Sequence, residues 1–194
     1  PAAAAADYDF DNLFIPFRCV ASDIVEKEEV VFAHGSLALA LRASSTYPFY
    51  FKPIEIENTM LFDGGLYNNF PSDVMSESFN PDVIIGSNVA STIEPPNKDD
   101  LISQVRNMIM RKSEFIVNGE GLIIEPNTDV GVFDFSNIPG EIEKGYQATM
   151  DRMGEIKKLI GIRRVESDEL LERRKKFENL KPDKNIGEIK LTGD

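Results

Sequence analysis

The sequence predicts an α/β domain built around a parallel sheet, and three observations lead there. Strand-like and helix-like runs alternate along residues 13–160. One run, residues 82–88 (DVIIGSN), is short and almost continuously apolar, the pattern of a strand buried on both faces of a parallel sheet. The chain has 194 residues, 42% of them hydrophobic and 13 of them Phe, enough for a sizeable core in one ordinary domain.

Taken in order, residues 13–21 (LFIPFRCVA) read as a strand, with Pro16 placing it at a sheet edge or a strand start. A second, short strand follows at residues 29–33. Residues 37–41 are apolar all round and favour a helix, so residues 36–44 are read as a buried helix with Ser36 as its N-cap. Residues 54–62 predict two short strands around a tight turn. Pro71 suits a first helical turn, so a helix is expected over residues 72–78. Beyond the 82–88 strand, apolar Leu101, Ile102, Val105, Met108 and Ile109 recur at helical spacing within residues 99–115. Strands are expected at residues 122–125 and 130–135, and one helix at about residues 140–160. There is no internal repeat.

The net charge of −12 and a pI near 4.6 argue against nucleic acid as a partner and against unassisted docking on anionic lipid. A lipid substrate stays open, because a local surface can differ from the global charge. A single cysteine, Cys19, excludes a disulfide framework and a Cys-based zinc site. The single histidine, His34, excludes a histidine-rich metal site. No apolar run approaches the ~18 residues of a membrane helix.

The candidate chemistry centres on residues 60–71, MLFDGGLYNNFP. Asp-Gly is a common turn dipeptide, so an ordinary hairpin turn is one reading. The other begins from the apolar run 60–62, which delivers Asp63 at a strand end, where open α/β sheets place their ligand crevice. Gly64 and Gly65 remove two side chains and let another backbone or a substrate approach. A carboxylate there could serve as general base to a hydrogen-bonded serine in a desolvated pocket. No window of the chain matches the Gly-x-Ser-x-Gly nucleophile elbow, and Gly119-Glu120-Gly121 lacks the remainder of a phosphate-binding loop. His34 and Ser36, two residues apart around a glycine, are read as structural, and Cys19 as core. Asp23 could pair with Asp63 or contribute to a divalent-cation site, but is read first as a capping residue.

In order along the chain, Ile15-Pro16-Phe17 through Ala21-Ser22-Asp23, then Gly35 to Pro48 with Arg42-Ala43-Ser44, then Asp63-Gly64-Gly65 with Asn69-Phe70-Pro71, together resemble the C-terminal half of the patatin-like phospholipase domain. The resemblance covers residues 12–90 well and 90–160 loosely. It implies part of a three-layer α/β/α domain with a mainly parallel sheet, its N-terminal half missing. It also implies a serine acyl hydrolase of lipids that uses a Ser-Asp dyad and no cofactor or metal. Asp63 matches the family's catalytic acid, with Gly64 and Gly65 shaping the turn that presents it. The family's nucleophilic serine and glycine-rich oxyanion hole have no counterpart here, so the chain alone is expected to be inactive. Its partners would be a lipid ester, a membrane surface reached through the parent protein, and the missing half of the domain. The alternative is a non-catalytic binding or passenger domain of a cell-envelope assembly.

This domain half is expected to occupy residues 1–161. Residues 162–185 read as a charged helical linker with i,i+4 pairs such as Glu169 and Arg173. Residues 186–194 alternate like the first strand of a following module, and resemble the start of a POTRA domain in bacterial patatin-like proteins fused to outer-membrane barrels. That resemblance implies a cell-envelope, outer-membrane-associated or secreted location, with the cytoplasm as the alternative.

Overall fold

The computed structural model describes residues 1–90, 98–109, 115–117, 119–128, 130–131, 133–161 and 167–182. The chain opens with a short helix, α1 (Ala2–Ala5), and a single 3-10 turn at Phe10–Asn12. Strands β1 (Cys19–Asp23) and β2 (Glu28–Phe32) come next, then helix α2 (Leu37–Ser44). A hairpin of β3 (Ile54–Ile56) and β4 (Thr59–Asp63) leads through a second 3-10 turn, Gly64–Leu66, into α3 (Ser72–Phe79). Then come β5 (Ile84–Ser87), α4 (Leu101–Ile109), β6 (Gly121–Ile124), α5 (Ile138–Asp151), α6 (Met153–Ile160) and α7 (Ser167–Leu180).

The mixture of helices and strands is that of an α/β domain, and the parallel pairing expected of residues 82–88 is found between β5 and β6. The larger sheet differs from the expectation of mainly parallel strands. Its four strands lie in the order β2-β1-β4-β3 and all of its pairings are antiparallel. The connections explain two of the three pairings, since β1–β2 and β3–β4 are joined by turns too short for a parallel crossover. At the tip of the β3–β4 hairpin, Glu57 and Asn58 both take positive φ (52° and 66°). That conformation gives the turn a twist matching its strands.

The larger sheet's hydrophobic clusters lie on the face that α2 covers, although β1 is buried on both faces. Cys19 packs with Phe10 and Ala40, and Ala21 with Ala43 and Leu61. Ala40 and Ala43 are the helix's contact residues, so α2 lies close on β1 and β4. This corrects the expectation of a fully buried α2: Leu39 and Leu41 are 47% and 46% exposed. The described residues put a sheet on one side of this helix only. Ser36 caps α2 as expected, its Oγ accepting from the Leu39 N–H. A second core joins Leu122 and Ile124 of β6 to Ile156 of α6.

Other expectations shift for local reasons. Pairing in β1 begins at Cys19 and not at residue 13. β5 is buried on alternate residues only, with Ile85 exposed, so one of its faces is open. The described part of residues 130–135 is not a strand: the Asp134 carboxylate accepts the Ser136 N–H and closes a turn. The single helix expected over 140–160 is two, broken at Arg152. That side chain grips Glu155 and donates to the Ile123 carbonyl of β6. Phe115 lies outside the helix expected over 99–115, and residues 110–114 fall outside the described part. Phe177 of α7 stacks on Phe14, 6.4 Å between centroids. The strand expected over 186–194 lies outside the described residues.

Candidate active site

Each strand of the hairpin contributes to placing one carboxylate. β4 ends on Asp63, whose ladder partner is Ala21 of β1. Side chains alternate along a strand, so Asp63 shares a face with Leu61, the face that α2 covers. Its backbone N–H donates to the Thr46 carbonyl at 2.9 Å, tying the strand end to the residue just beyond α2. Immediately after Asp63 the chain turns into the 3-10 segment, and the Gly65 N–H donates to Asp63 Oδ1 at 2.8 Å. Among the described residues, Oδ2 accepts no hydrogen bond. Burial pushes the Asp63 carboxyl above its ordinary range, and the Gly65 hydrogen bond opposes that rise. The group is therefore a half-buried carboxylate with one oxygen fixed and the other free to take a proton.

The two glycines have packing reasons and not conformational ones. A Cβ on Gly64 would lie 2.4 Å from the Val20 carbonyl oxygen, so β1 passes too close for any side chain. A Cβ on Gly65 would lie 2.7 Å from Asn69 Oδ1 and 3.1 Å from Asp63 Oδ1, inside the turn that aims the carboxylate. Asp-Gly here is thus a strand-to-helix corner and not a hairpin tip.

Other candidates take lesser parts. Asp23 Oδ1 accepts from the N–H groups of Val25 and Glu26, a capping role at the turn after β1, and its ladder partner is Leu61. His34 is bridged to Asp9 and Ser36 is engaged as a helix cap, so they share no catalytic hydrogen bond. Cys19 is buried, and burial pushes its thiol up to about 11. Ser22 is fully buried but opposes Phe62, on the face away from Asp63. Its hydroxyl has no partner among the described residues.

Two positioning groups escaped the sequence reading. Thr46 is fully buried; its hydroxyl donates to the Arg42 carbonyl at 2.6 Å and accepts from Arg42 Nη1 at 2.8 Å. Asn68 donates through Nδ2 to Glu29 Oε2 at 2.7 Å and Asp73 Oδ1 at 3.0 Å, holding two carboxylates around the loop that follows the glycines. The signal for Thr46 was its place four residues after Arg42, where a hydroxyl can bond back to the helix. Asn68 gave none, since its partner Glu29 is 39 residues away. Thr46→Val keeps the shape and deletes the hydroxyl, so a loss of about 1 kcal/mol is expected in chemical denaturation.

Fold and site together define an α/β domain with a carboxylate at a strand end fit for proton transfer. Residues 3–75 match the sequence pattern of the patatin-like phospholipase family. The chain is also 25% identical over 161 residues to an "Uncharacterized NTE family protein" of Mycobacterium tuberculosis, covering 68% of this chain and 28% of that protein. A second protein so named from the same organism is 30% identical over 89 residues, 46% of this chain and 24% of that protein. "Patatin-like phospholipase domain-containing protein 7" of Mus musculus is 32% identical over 90 residues, 45% of this chain and 7% of that protein. Over residues 3–75 this chain is thus similar to patatin-like phospholipases. The chain spans about a quarter of the length of the mycobacterial relatives it matches.

Proposed function

We propose that this chain supplies the acid half of a lipid acyl hydrolase of the Ser-Asp type, with Asp63 as general base. The observation that carries the reading is the Asp63 carboxylate, with Oδ1 held by the Gly65 N–H and Oδ2 left free. The family match supports the substrate class, a lipid ester. No Gly-x-Ser-x-Gly elbow occurs in residues 1–194, so the nucleophile comes from polypeptide outside them. That serine attacks the ester carbonyl while Asp63 Oδ2 takes its proton. The proton passes to the departing alcohol, and Asp63 then deprotonates the water that releases the acyl group. Raising the carboxyl's pKa by burial brings its basicity closer to what this transfer needs.

A serine-directed fluorophosphonate tests the division of labour. The intact parent protein is expected to be labelled at a serine outside residues 1–194, and this chain alone to remain unmodified. Stoichiometric labelling of a serine within this chain would overturn the assignment.

A further inference from the structure

The chain carries a net charge of −12, but residues 30–54 contain no Asp or Glu, and their charged side chains are Arg42 and Lys52. This segment also carries the densest aromatic exposure. Phe49, Tyr50 and Phe51 follow one another in the loop between α2 and β3, and are 54%, 66% and 45% exposed. Phe49 sits at φ 69°, a left-handed backbone that a bulky residue adopts at a cost. The Phe49 side chain is itself exposed. The rings are assembled, too: Tyr50 lies 4.4 Å from Phe133, and Phe51 lies 6.3 Å from it. The Arg42 guanidinium sits over the Phe51 ring at 5.5 Å, so a cation is built into the patch. Asp134, beside Phe133, is the exposed acid at its margin, and its carboxylate is engaged by Ser136.

We infer that Phe49, Tyr50, Phe51 and Phe133, rimmed by Arg42 and Lys52, form a docking surface for an anionic lipid membrane. Exposed aromatic rings beside cations match a membrane interface, where rings settle at headgroup depth and cations meet anionic phosphates. Charge complementarity selects lipid as the occupant, because the acid-free segment is cationic on a chain of net charge −12. The surface is tied to the site, since Thr46, three residues before Phe49, accepts the Asp63 N–H. This deepens the lipid-hydrolase reading by naming where the substrate's surface is met, and binding is measured without turnover, so the two can fail separately.

The chain has no Trp, so Tyr50→Trp supplies a single reporter. With vesicles of phosphatidylcholine and phosphatidylglycerol, its emission is expected to shift to the blue and to be quenched by brominated acyl chains. Raised salt and vesicles of phosphatidylcholine alone should both weaken the effect. In that background Phe49→Gly removes a ring and relieves the positive φ. It is expected to weaken vesicle binding about tenfold without lowering the melting temperature. Lys52→Glu is expected to weaken binding about tenfold as well. Absence of a shift with anionic vesicles would overturn the inference, as would binding that neither substitution changes. A shift on raising protein concentration without lipid, with a dimer in light scattering that Phe49→Gly dissolves, would assign the surface to a second copy of the chain instead.

Discussion

Replacing Asp63 by asparagine in the intact parent protein is expected to lower ester turnover about a thousandfold, the scale on which a positioned general base acts. The same substitution is expected to raise the melting temperature at pH 7. Asparagine keeps an Oδ1 acceptor for the Gly65 N–H, so the corner survives. What it removes is a charge that burial disfavours: the Asp63 carboxyl is raised above its ordinary range in the folded chain. Between the unfolded value, about 3.9, and the raised one, the native state binds more protons than the unfolded state. Stability therefore falls as pH rises through that window and stays reduced above it. The asparagine variant does not ionise and escapes this loss. Its thermal advantage should be full at neutral pH and should vanish once the pH drops below about 3.9, where aspartic acid is neutral in both states. Undiminished turnover in the variant would remove Asp63 from the chemistry. A variant less stable than the parent at pH 7 would contradict the burial argument alone.

The second large effect is expected from Gly64→Ala. The added methyl would meet the Val20 carbonyl oxygen at 2.4 Å and its carbon at 2.8 Å, both backbone atoms of β1. No rotamer relieves that contact, so either β1 or the corner must move, at a cost of about 3 kcal/mol. The displacement falls on the residue next to Asp63, and activity should drop along with stability. Gly145→Ala in α5 provides the contrast. A Cβ there has no neighbour within 4 Å, and alanine should stabilise this helix by about 1 kcal/mol. Denaturant midpoints of the two variants should move in opposite directions.

Several parts of this arrangement were legible in the sequence because they are local. Ser36 as a helix cap, the hairpin within residues 54–62 and the strand ending at Asp63 each depend on neighbours a few positions away. The direction of strands in the larger sheet was not legible, since the composition of β1 does not say which strand lies beside it. The length of its turns decided that for β1–β2 and β3–β4. The solvent side of α2 looked like core because leucine and alanine read alike in an apolar run, yet Ala40 and Ala43 are buried while Leu39 and Leu41 are exposed. At residues 130–135, apolar alternation suggested a strand, but the Asp134 side chain took the backbone partner that pairing would have needed. Of the site, the acid and its glycines were visible as a motif. Asn68 was not, because only the fold brings Glu29 near it, and Thr46 was missed although its bonds to Arg42 are local.

The two-residue tip at Glu57 and Asn58 acts as a reading frame for the site. It fixes Ile56 opposite Thr59 and Ile54 opposite Leu61, and β4 in turn sets Asp63 opposite Ala21. Because strand side chains alternate, adding or removing one residue between the tip and Asp63 while the strand stays paired would turn the carboxylate to the Ser22 side of the sheet. Every residue of the acid motif could then be unchanged, and the Asp63 carboxylate would still face the other way. The side of the sheet on which Asp63 lies is thus decided by counting residues along a hairpin.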